Sequence, residues 1–163
     1  RKAFPNKFLI FTEGCKEQFD FNKIHDVSLG ELYARNMIND FNNGTAAWTD
    51  WNILLDETGG PNHVGNFCFA PIIADTRAGE LHYTYEYYYI GQLSKFVKPN
   101  AQRVGTATNR DFLVSTSFVN TNGQLVVVVM NEGDKDTNYN LWIEGKAAQL
   151  DAPAHSIQTV VLE

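Results

Sequence analysis

The sequence predicts an α/β portion followed by an antiparallel, all-β sandwich, and three observations support this fold class. An apolar run without alternation, Phe8 to Thr12, is typical of a strand that is covered on both faces in a parallel sheet. Apolar residues at helical spacing follow over residues 27–41. Beyond Lys98-Pro99-Asn100 the helical periodicity is lost, and short β-rich runs succeed one another. We therefore expect one domain over residues 1–96 and a second over residues 97–163.

The first portion alternates strands and helices. Its first helix should begin with a capping box, because Ser28 is followed three residues later by Glu31. The helix should end at residues 42–44, Asn-Asn-Gly, which tolerate a left-handed backbone. A second strand is predicted over residues 46–54, although it contains the polar side chains of the motif WTDWN. Tyrosines and aliphatic residues at mixed helical spacing predict a second helix over residues 82–96.

The second portion carries the signals of an antiparallel sandwich. Residues 112–120 and 124–131 are rich in β-forming residues and are joined by Thr-Asn-Gly, which predicts a hairpin. Residues 141–144 and 156–162 add two further strands at sandwich-like spacing. The run of four valines at 126–129 would promote aggregation if it were left unpaired, so we expect it to be buried.

Composition and charge argue against several classes of protein. The chain has 163 residues and is 44% hydrophobic, which is enough for a packed core and argues against disorder. Its net charge of -6 provides no basic face for phosphates, so we expect no nucleic-acid partner. No apolar run approaches the roughly 20 residues that a membrane span needs, so no transmembrane segment is expected.

The cysteines, histidines and glycines form no recognisable metal or cofactor motif. Cys15 and Cys68 are few and widely spaced, which favours two buried free thiols over a disulfide framework or a zinc site. The four histidines lack the spacing of metal ligands. Gly59-Gly60 lacks the sequence context of a phosphate-binding loop. We therefore expect no metal and no cofactor.

The first portion contains too few strands for a complete parallel sheet. Two parallel strands with their helices would leave both edges of the sheet unpaired. We therefore expect this chain to be the C-terminal portion of a larger polypeptide. The missing N-terminal part of the same protein would then be its partner.

A carboxylate stands directly after the first predicted strand. Glu13 would lie at the C-terminal end of that strand, which is where the working residues of α/β barrels are found. A carboxylate near tryptophans suits glycoside cleavage, because an anion can attack the anomeric carbon and a flat ring can stack against a sugar. The alternative is a structural role, in which Glu13 caps the next helix or pairs with Lys16.

The motif WTDWN places aromatic and polar side chains at the end of the next strand. Trp48 and Trp51 flank Asp50, which favours a polar pocket, although single tryptophans are usually core residues. Asp50 could orient a substrate hydroxyl or pair with an arginine inside a barrel, and the sequence leaves both roles open. Trp142 lies in a predicted sandwich strand and is expected in the core.

Six blocks of the sequence match the pattern of one known protein family. They are FTEGC, WTDWNILLDETGGPNHVGNF, APIIAD, IGQLSKFVKPNAQRVG, GQLVVVVMNEGDKD and APAHSIQTVVL. Together they closely resemble the C-terminal part of glycoside hydrolase family 30, in its glucosylceramidase branch, over nearly the whole chain. The resemblance implies that residues 1–96 form the last two strand-helix units, strands 7 and 8, of a (β/α)8 TIM barrel. It implies that residues 97–163 form the attached β-sandwich domain.

The resemblance also implies retaining hydrolysis of β-glucosides, with a carbohydrate or a glycolipid such as glucosylceramide as substrate. Glu13 matches the family's nucleophile, and Cys15 matches a cysteine that is a family feature two residues later. Trp51 matches a residue expected to line the pocket for the cleaved sugar, and Asn66 matches one near the pocket rim. The candidate substrate-binding residues are therefore Trp51, Asn66, Trp48, Asp50 and Cys15. A secreted, periplasmic or lysosomal location is implied as well.

The sequence departs from the family pattern at the second catalytic carboxyl group. In the family this acid/base is a glutamate that follows an asparagine on the fourth strand, upstream of the nucleophile. Asn131-Glu132 is an Asn-Glu pair, but it ends a sandwich strand downstream of Glu13, so we reject it. We expect the isolated chain to be inactive, because retaining hydrolysis needs two carboxyl groups roughly 5 to 5.5 Å apart.

Two other functions remain open at the level of sequence. The chain could be a non-catalytic carbohydrate-binding or structural module, in which exposed aromatic residues of the sandwich bind the sugar. The candidates for that role are Phe112, Phe118, Tyr139 and Trp142. Alternatively, the parent protein could be a family member that acts on another β-linkage, such as that of a β-1,6-glucan or a xylan.

Overall fold

The computed structural model of the chain describes residues 3–163, and the chain divides into two compact units. The first unit runs to Gly91 and the second begins at Gln92. Each unit has a hydrophobic core of its own. Neither helix within the described residues combines the length and the apolar character that a membrane span requires.

The first unit contains two small sheets and the helices that connect their strands. Its elements are β1 (Leu9–Gly14), a 3-10 turn (Phe21–Lys23), α1 (Val27–Asn42), β2 (Thr45–Asp50), β3 (Leu54–Asp56), β4 (Ile72–Asp75), β5 (Glu80–Tyr83) and the start of α2 (Tyr85–Ser94). Strands β1 and β2 are parallel, and their register places Gly14 opposite Asp50. Strand β4 pairs in parallel with β3 and antiparallel with β5.

Helix α1 confirms the predicted helix and corrects its cap. Its buried side chains include Leu29, Tyr33 and Met37, which recur at helical spacing along one face. The predicted capping box is wrong, because the helix begins at Val27 and the carboxylate of Asp26 accepts the Ser28 N–H at 2.9 Å. The residue that caps the helix is therefore the aspartate just before it.

Two predicted elements of the first unit are divided in the structure. The strand predicted over 46–54 breaks after Asp50, where the Trp51 N–H turns to donate to the Gly14 carbonyl at 2.9 Å. The chain then enters the other sheet as β3. The helix predicted over 82–96 begins only at Tyr85, because the preceding residues pair with β4, with Ile73 opposite His82.

Strand β1 is far more exposed than its apolar sequence predicts. Ile10 is 57% exposed and Phe8, just before the strand, is 82% exposed, so the expectation of a strand covered on both faces is wrong for this chain. The physical reason is the number of neighbours. Among the described residues β1 pairs with β2 alone, and its other edge carries no strand.

The second unit is an all-β structure of two sheets. Its strands are β6 (Gln102–Val104), β7 (Leu113–Val119), β8 (Leu125–Asn131), β9 (Thr137–Ile143), β10 (Lys146–Ala152) and β11 (Ser156–Leu162). One sheet has the order β11-β8-β7-β6, and the other pairs β10 with β9. The predicted hairpin is confirmed, since β7 and β8 are antiparallel and Gly123 adopts a φ of 88° in the turn.

The core of the second unit lies on β8. Val126 to Met130 are all buried, which confirms the prediction for the valine run. The prediction for Trp142 is wrong: its side chain is 69% exposed. Strand β9 alternates, with Tyr139 and Leu141 packed against the core, and Trp142 falls on the opposite face.

Candidate active site

Glu13 lies near the C-terminal end of β1, and its side chain is exposed. The next residue, Gly14, is buried because the Trp48 ring packs so closely on it that a Cβ at this position would collide with the ring. The Gly14 carbonyl accepts the Trp51 N–H at 2.9 Å. Neighbouring parallel strands are roughly 4.8 Å apart. Glu13, near the end of β1, and Trp51, just after the end of β2, therefore lie at the same C-terminal edge of this strand pair.

A small cavity adjoins Glu13 on the side of α1. Its volume is about 130 Å³, and its lining includes Glu13, Cys15, Tyr33 and Trp48. Pockets for small-molecule ligands usually measure roughly 300 to 1,000 Å³. The walls that the described residues provide beside Glu13 are therefore too few to enclose a sugar ring.

Trp48 is held in the layer between the β1–β2 pair and α1. Its ring stacks on Phe11, with the ring centroids 4.9 Å apart, and meets Tyr33 edge-on at 5.7 Å. Its indole N–H donates to the Asp40 carboxylate at 3.1 Å. These contacts give Trp48 a packing function, and its substrate-binding role stays a prediction.

Asp50 faces into the fold rather than toward a cation. One carboxylate oxygen accepts the Trp51 N–H at 2.8 Å, and the other is buried without a hydrogen-bond partner among the described residues. Burial raises the pKa of Asp50 to about 6, although the hydrogen bond from the Trp51 N–H partly opposes that shift. No arginine pairs with Asp50 within residues 3–163, and its role in orienting a substrate hydroxyl stays a prediction.

Tyr33 is a residue that the sequence-based argument missed. Its ring is buried in the apolar face of α1, yet its hydroxyl accepts the backbone N–H of Lys16 at 3.1 Å. Burial raises the pKa of the Tyr33 phenol, and the nearby carboxyl groups of Glu86 and Asp50 raise it further. A tyrosine in a buried helical stripe could have signalled this role, because buried tyrosine hydroxyls usually need a partner.

Cys15 forms a disulfide with Cys68, so the expectation of two free thiols is wrong. The two residues are 53 positions apart in the sequence, but their Cα atoms are 6.5 Å apart. Backbone contacts bring them together: Glu17 and Cys68 form an isolated β-bridge, and the Phe69 N–H donates to the Lys16 carbonyl at 2.8 Å. Spacing alone could not reveal this tertiary approach.

Asn66 is joined to the same turn through a side chain. Its amide nitrogen donates to the Glu17 carboxylate at 3.0 Å, four residues after Glu13 in the chain. Asn62 fixes the loop from the other side, since its amide donates to the Asn66 carbonyl at 2.8 Å and its oxygen accepts the Asn66 N–H at 3.1 Å. The structure thus links the loop that carries Asn66 to the segment that follows Glu13.

The aromatic candidates of the second unit do not form one surface. Phe118 is buried, whereas Trp142 is exposed. Tyr139 and Trp142 line a cavity of about 710 Å³ in this unit, but Phe112 and Phe118 do not. Two of the four candidates therefore share a cavity.

Family comparisons agree with the two-part organisation. Residues 1–97 match the TIM-barrel domain of glycosyl hydrolase family 30, and residues 100–160 match the β-sandwich domain of the same family. A putative glucosylceramidase of Caenorhabditis elegans, putative glucosylceramidase 4, is 38% identical over 137 residues, which cover 82% of this chain and 26% of that protein. The lysosomal acid glucosylceramidase of Mus musculus is 32% identical over 139 residues, covering 83% of this chain and 27% of that protein.

Solved structures show the same architecture. SrfJ from Salmonella typhimurium superposes with a TM-score of 0.91 at 31% identity, covering 99% of this chain and 36% of SrfJ. An endo-β1,6-glucanase superposes with a TM-score of 0.84 at 27% identity, covering 97% of this chain and 36% of the glucanase. The chain thus spans about a quarter to a third of the length of these relatives. It comprises the C-terminal part of a TIM barrel and a β-sandwich domain.

Proposed function

Because the chain belongs to glycosyl hydrolase family 30, we propose that it supplies the nucleophile half of a retaining β-glycosidase active site, with Glu13 as the nucleophile. One observation carries the proposal. Glu13 is an exposed carboxylate at the C-terminal end of a parallel strand, and Trp51, just after the neighbouring strand β2, donates its N–H to the carbonyl of the adjacent Gly14.

In this proposal the Glu13 carboxylate attacks the anomeric carbon of the substrate. The bond from that carbon to the leaving oxygen breaks as a covalent glycosyl-enzyme forms, and water then hydrolyses the intermediate with net retention. A second carboxyl group, roughly 5 to 5.5 Å from the first, donates a proton to the leaving group and later activates the water. That group would come from a part of the parent protein outside these residues.

Trp51 would hold the cleaved sugar. Its side chain is 41% exposed, which leaves a ring face accessible to a sugar while the backbone N–H is fixed to Gly14 and Asp50. Cys15 and Asn66 would border the same site through the disulfide and the Glu17 contact.

The favoured substrate is a β-glucoside of the glucosylceramide type. The curated relatives named as glucosylceramidases support this choice. The structural relative named as an endo-β1,6-glucanase supports the alternative of a β-1,6-glucan, at lower identity. Turnover of glucosylceramide against a β-1,6-linked glucan by the parent protein separates the two.

Replacement of Glu13 tests the proposal. In the full-length protein, Glu13→Gln should lower turnover of an aryl β-glucoside by at least about a thousandfold, since an amide cannot act as the nucleophile. An activated fluoroglucoside should label Glu13 in the unmodified protein, as read by mass spectrometry of the peptide.

The control is Glu80→Gln, an exposed carboxylate on β5 of the same unit, which should leave turnover unchanged. Circular dichroism should show that both variants are folded. Normal turnover by the Glu13 variant would refute the assignment. The isolated chain should show no turnover, and measurable hydrolysis by it would contradict the idea of half a site.

A further inference from the structure

A second carboxyl group lies buried in the first unit, on the helix that follows β5. Glu86, in the first turn of α2, has no exposed surface, and neither of its carboxyl oxygens has a hydrogen-bond partner among the described residues. Helix α2 comes very close to α1 here. A Cβ on Gly30 would lie 2.6 Å from the Tyr89 ring and 2.9 Å from the Tyr85 carbonyl oxygen.

The groups around Glu86 are acidic or phenolic. The charge of Asp50, on β2, raises the pKa of Glu86, and the charge of Glu86 in turn raises the pKa of the Tyr33 phenol on α1. Tyr85 and Tyr89 lie on α2 itself, and the charge of Glu31, on α1, contributes to the raised pKa of Tyr89. No lysine, arginine or histidine contributes to the shifted pKa of Glu86 or of Asp50.

A buried carboxylate without a hydrogen-bond partner has an unfavourable free energy of desolvation, and protonation removes the charge that causes it. Burial, with a smaller contribution from the Asp50 charge, raises the pKa of Glu86 to about 8. Glu86 is therefore neutral in acidic and neutral solution. Its ionisation would place a charge beside Asp50, whose second carboxylate oxygen is also buried without a partner among the described residues.

The same groups hold the backbone on which the proposed active site is built. Asp50 accepts the N–H of Trp51 at 2.8 Å. The Tyr33 hydroxyl accepts the N–H of Lys16 at 3.1 Å, three residues after Glu13. Displacement of either group would release a backbone contact at the end of β1 or β2.

We propose that Glu86, Asp50 and Tyr33 form a buried acid cluster that positions the turn after Glu13 only while Glu86 is protonated. This inference rests on the proposed function of Glu13 and makes Glu86 a positioning residue. When Glu86 loses its proton, repulsion from Asp50 and the need for water separate α2 from α1. The contact between Tyr33 and Lys16 is then lost, and the attack by Glu13 slows in alkaline solution.

The test uses the full-length protein and an activated fluoroglucoside, whose good leaving group makes the glycosylation step independent of the proton donor. The rate of Glu13 labelling is measured against pH in the unmodified protein and in Glu86→Gln, which is neutral at every pH. The alkaline fall in rate should lie at least about one pH unit higher in Glu86→Gln. Near about pH 5 the two rates should agree within about twofold.

Two controls separate positioning from general stability. Glu86→Met, neutral and of similar length, should reproduce the pH profile of Glu86→Gln, and the exposed Glu80→Gln should keep the profile of the unmodified protein. Identical profiles for Glu86→Gln and the unmodified protein would overturn the inference.

Two measurements remain informative if Glu13 proves not to be the nucleophile. The infrared difference spectrum between the unmodified protein and Glu86→Gln at neutral pH should contain the C=O band of a protonated carboxyl group. The melting temperature of the unmodified protein should fall as the pH rises from about 5 to about 8. A melting temperature that does not change over this range, or an ionised Glu86 in the spectra, would overturn the inference while leaving the proposed function intact.

Discussion

Strands β1 and β8 have similar sequences and opposite surroundings. Both are apolar runs without alternation, FLIFT and LVVVVM. Ile10 of β1 is 57% exposed, whereas Val126 and Val128 of β8 are fully buried. Strand β8 lies between β7 and β11, but β1 pairs with β2 alone among the described strands. An apolar run therefore predicts that a strand should be buried, and the strands that pair with it determine whether it is buried.

The exposed side of β1 has a consistent explanation in the family comparison. Residues 1–97 match a TIM-barrel domain, and a barrel has no free strand edges. The chain spans 36% of SrfJ, so that protein has much more chain with which to build a barrel. In a closed barrel, the edge of β1 that is open here would pair with a further strand.

The largest expected effect distinguishes these two strands directly. Val128→Asp buries an unpaired charge in the centre of β8 and should cost more than about 4 kcal/mol, enough to unfold the second unit. Ile10→Asp, on exposed β1, should cost the isolated chain less than about 1 kcal/mol. Urea unfolding followed by circular dichroism measures both.

The comparison becomes sharper in the full-length protein. If other strands cover β1 there, Ile10→Asp should become as damaging as Val128→Asp. Val161→Asp, on the edge strand β11 and 38% exposed, is the matched control and should cost about 1 kcal/mol or less in both contexts. Equal tolerance of Ile10→Asp in the two contexts would contradict the expectation that β1 is covered in the full-length protein.

A smaller effect is expected from the disulfide, which belongs to the first unit only. Cys15→Ser together with Cys68→Ser should lower the free energy of unfolding of that unit by about 2 to 4 kcal/mol, because the unfolded chain is no longer cross-linked over 53 residues. The second unit has no cysteine and should unfold at an unchanged urea concentration. Hydrogen exchange resolved by peptide separates the units, and equal losses in both would contradict the prediction.

Local signals in the sequence predicted the elements that local interactions determine. Helix α1 followed from apolar spacing, and the β7–β8 hairpin followed from Asn-Gly in its turn. Strand β10 was missed because its sequence, KAAQLDA, lacks β-branched and aromatic residues. It forms a strand because it pairs with β9 along its whole length. The break after Asp50 was missed because it depends on a backbone bond from Trp51 to another strand.

The residues of the candidate site likewise fall into those that the sequence could identify and those that only the structure reveals. Glu13 could be named from the strand that precedes it and from the family resemblance, and its nucleophilic role stays a prediction. The disulfide and the acid cluster could not be named, since each joins segments distant in sequence. Glu86 stands in the run YEYYYI as one carboxylate among tyrosines, and only the packing of α2 against α1 shows that it is buried.

The smallest expected effect compares the tryptophans of the two units. Trp48→Phe keeps an aromatic ring against Phe11 but removes the N–H that donates to Asp40, so it should cost about 1 to 2 kcal/mol. Trp142→Phe, at a position 69% exposed, should change stability by less than about 0.5 kcal/mol. Asp40→Ala should lose its own effect when Trp48 is already Phe, which a double-mutant cycle in urea measures. Independent, additive losses would mean that the contribution of Trp48 comes from packing on β1 and α1, with none from the Asp40 hydrogen bond.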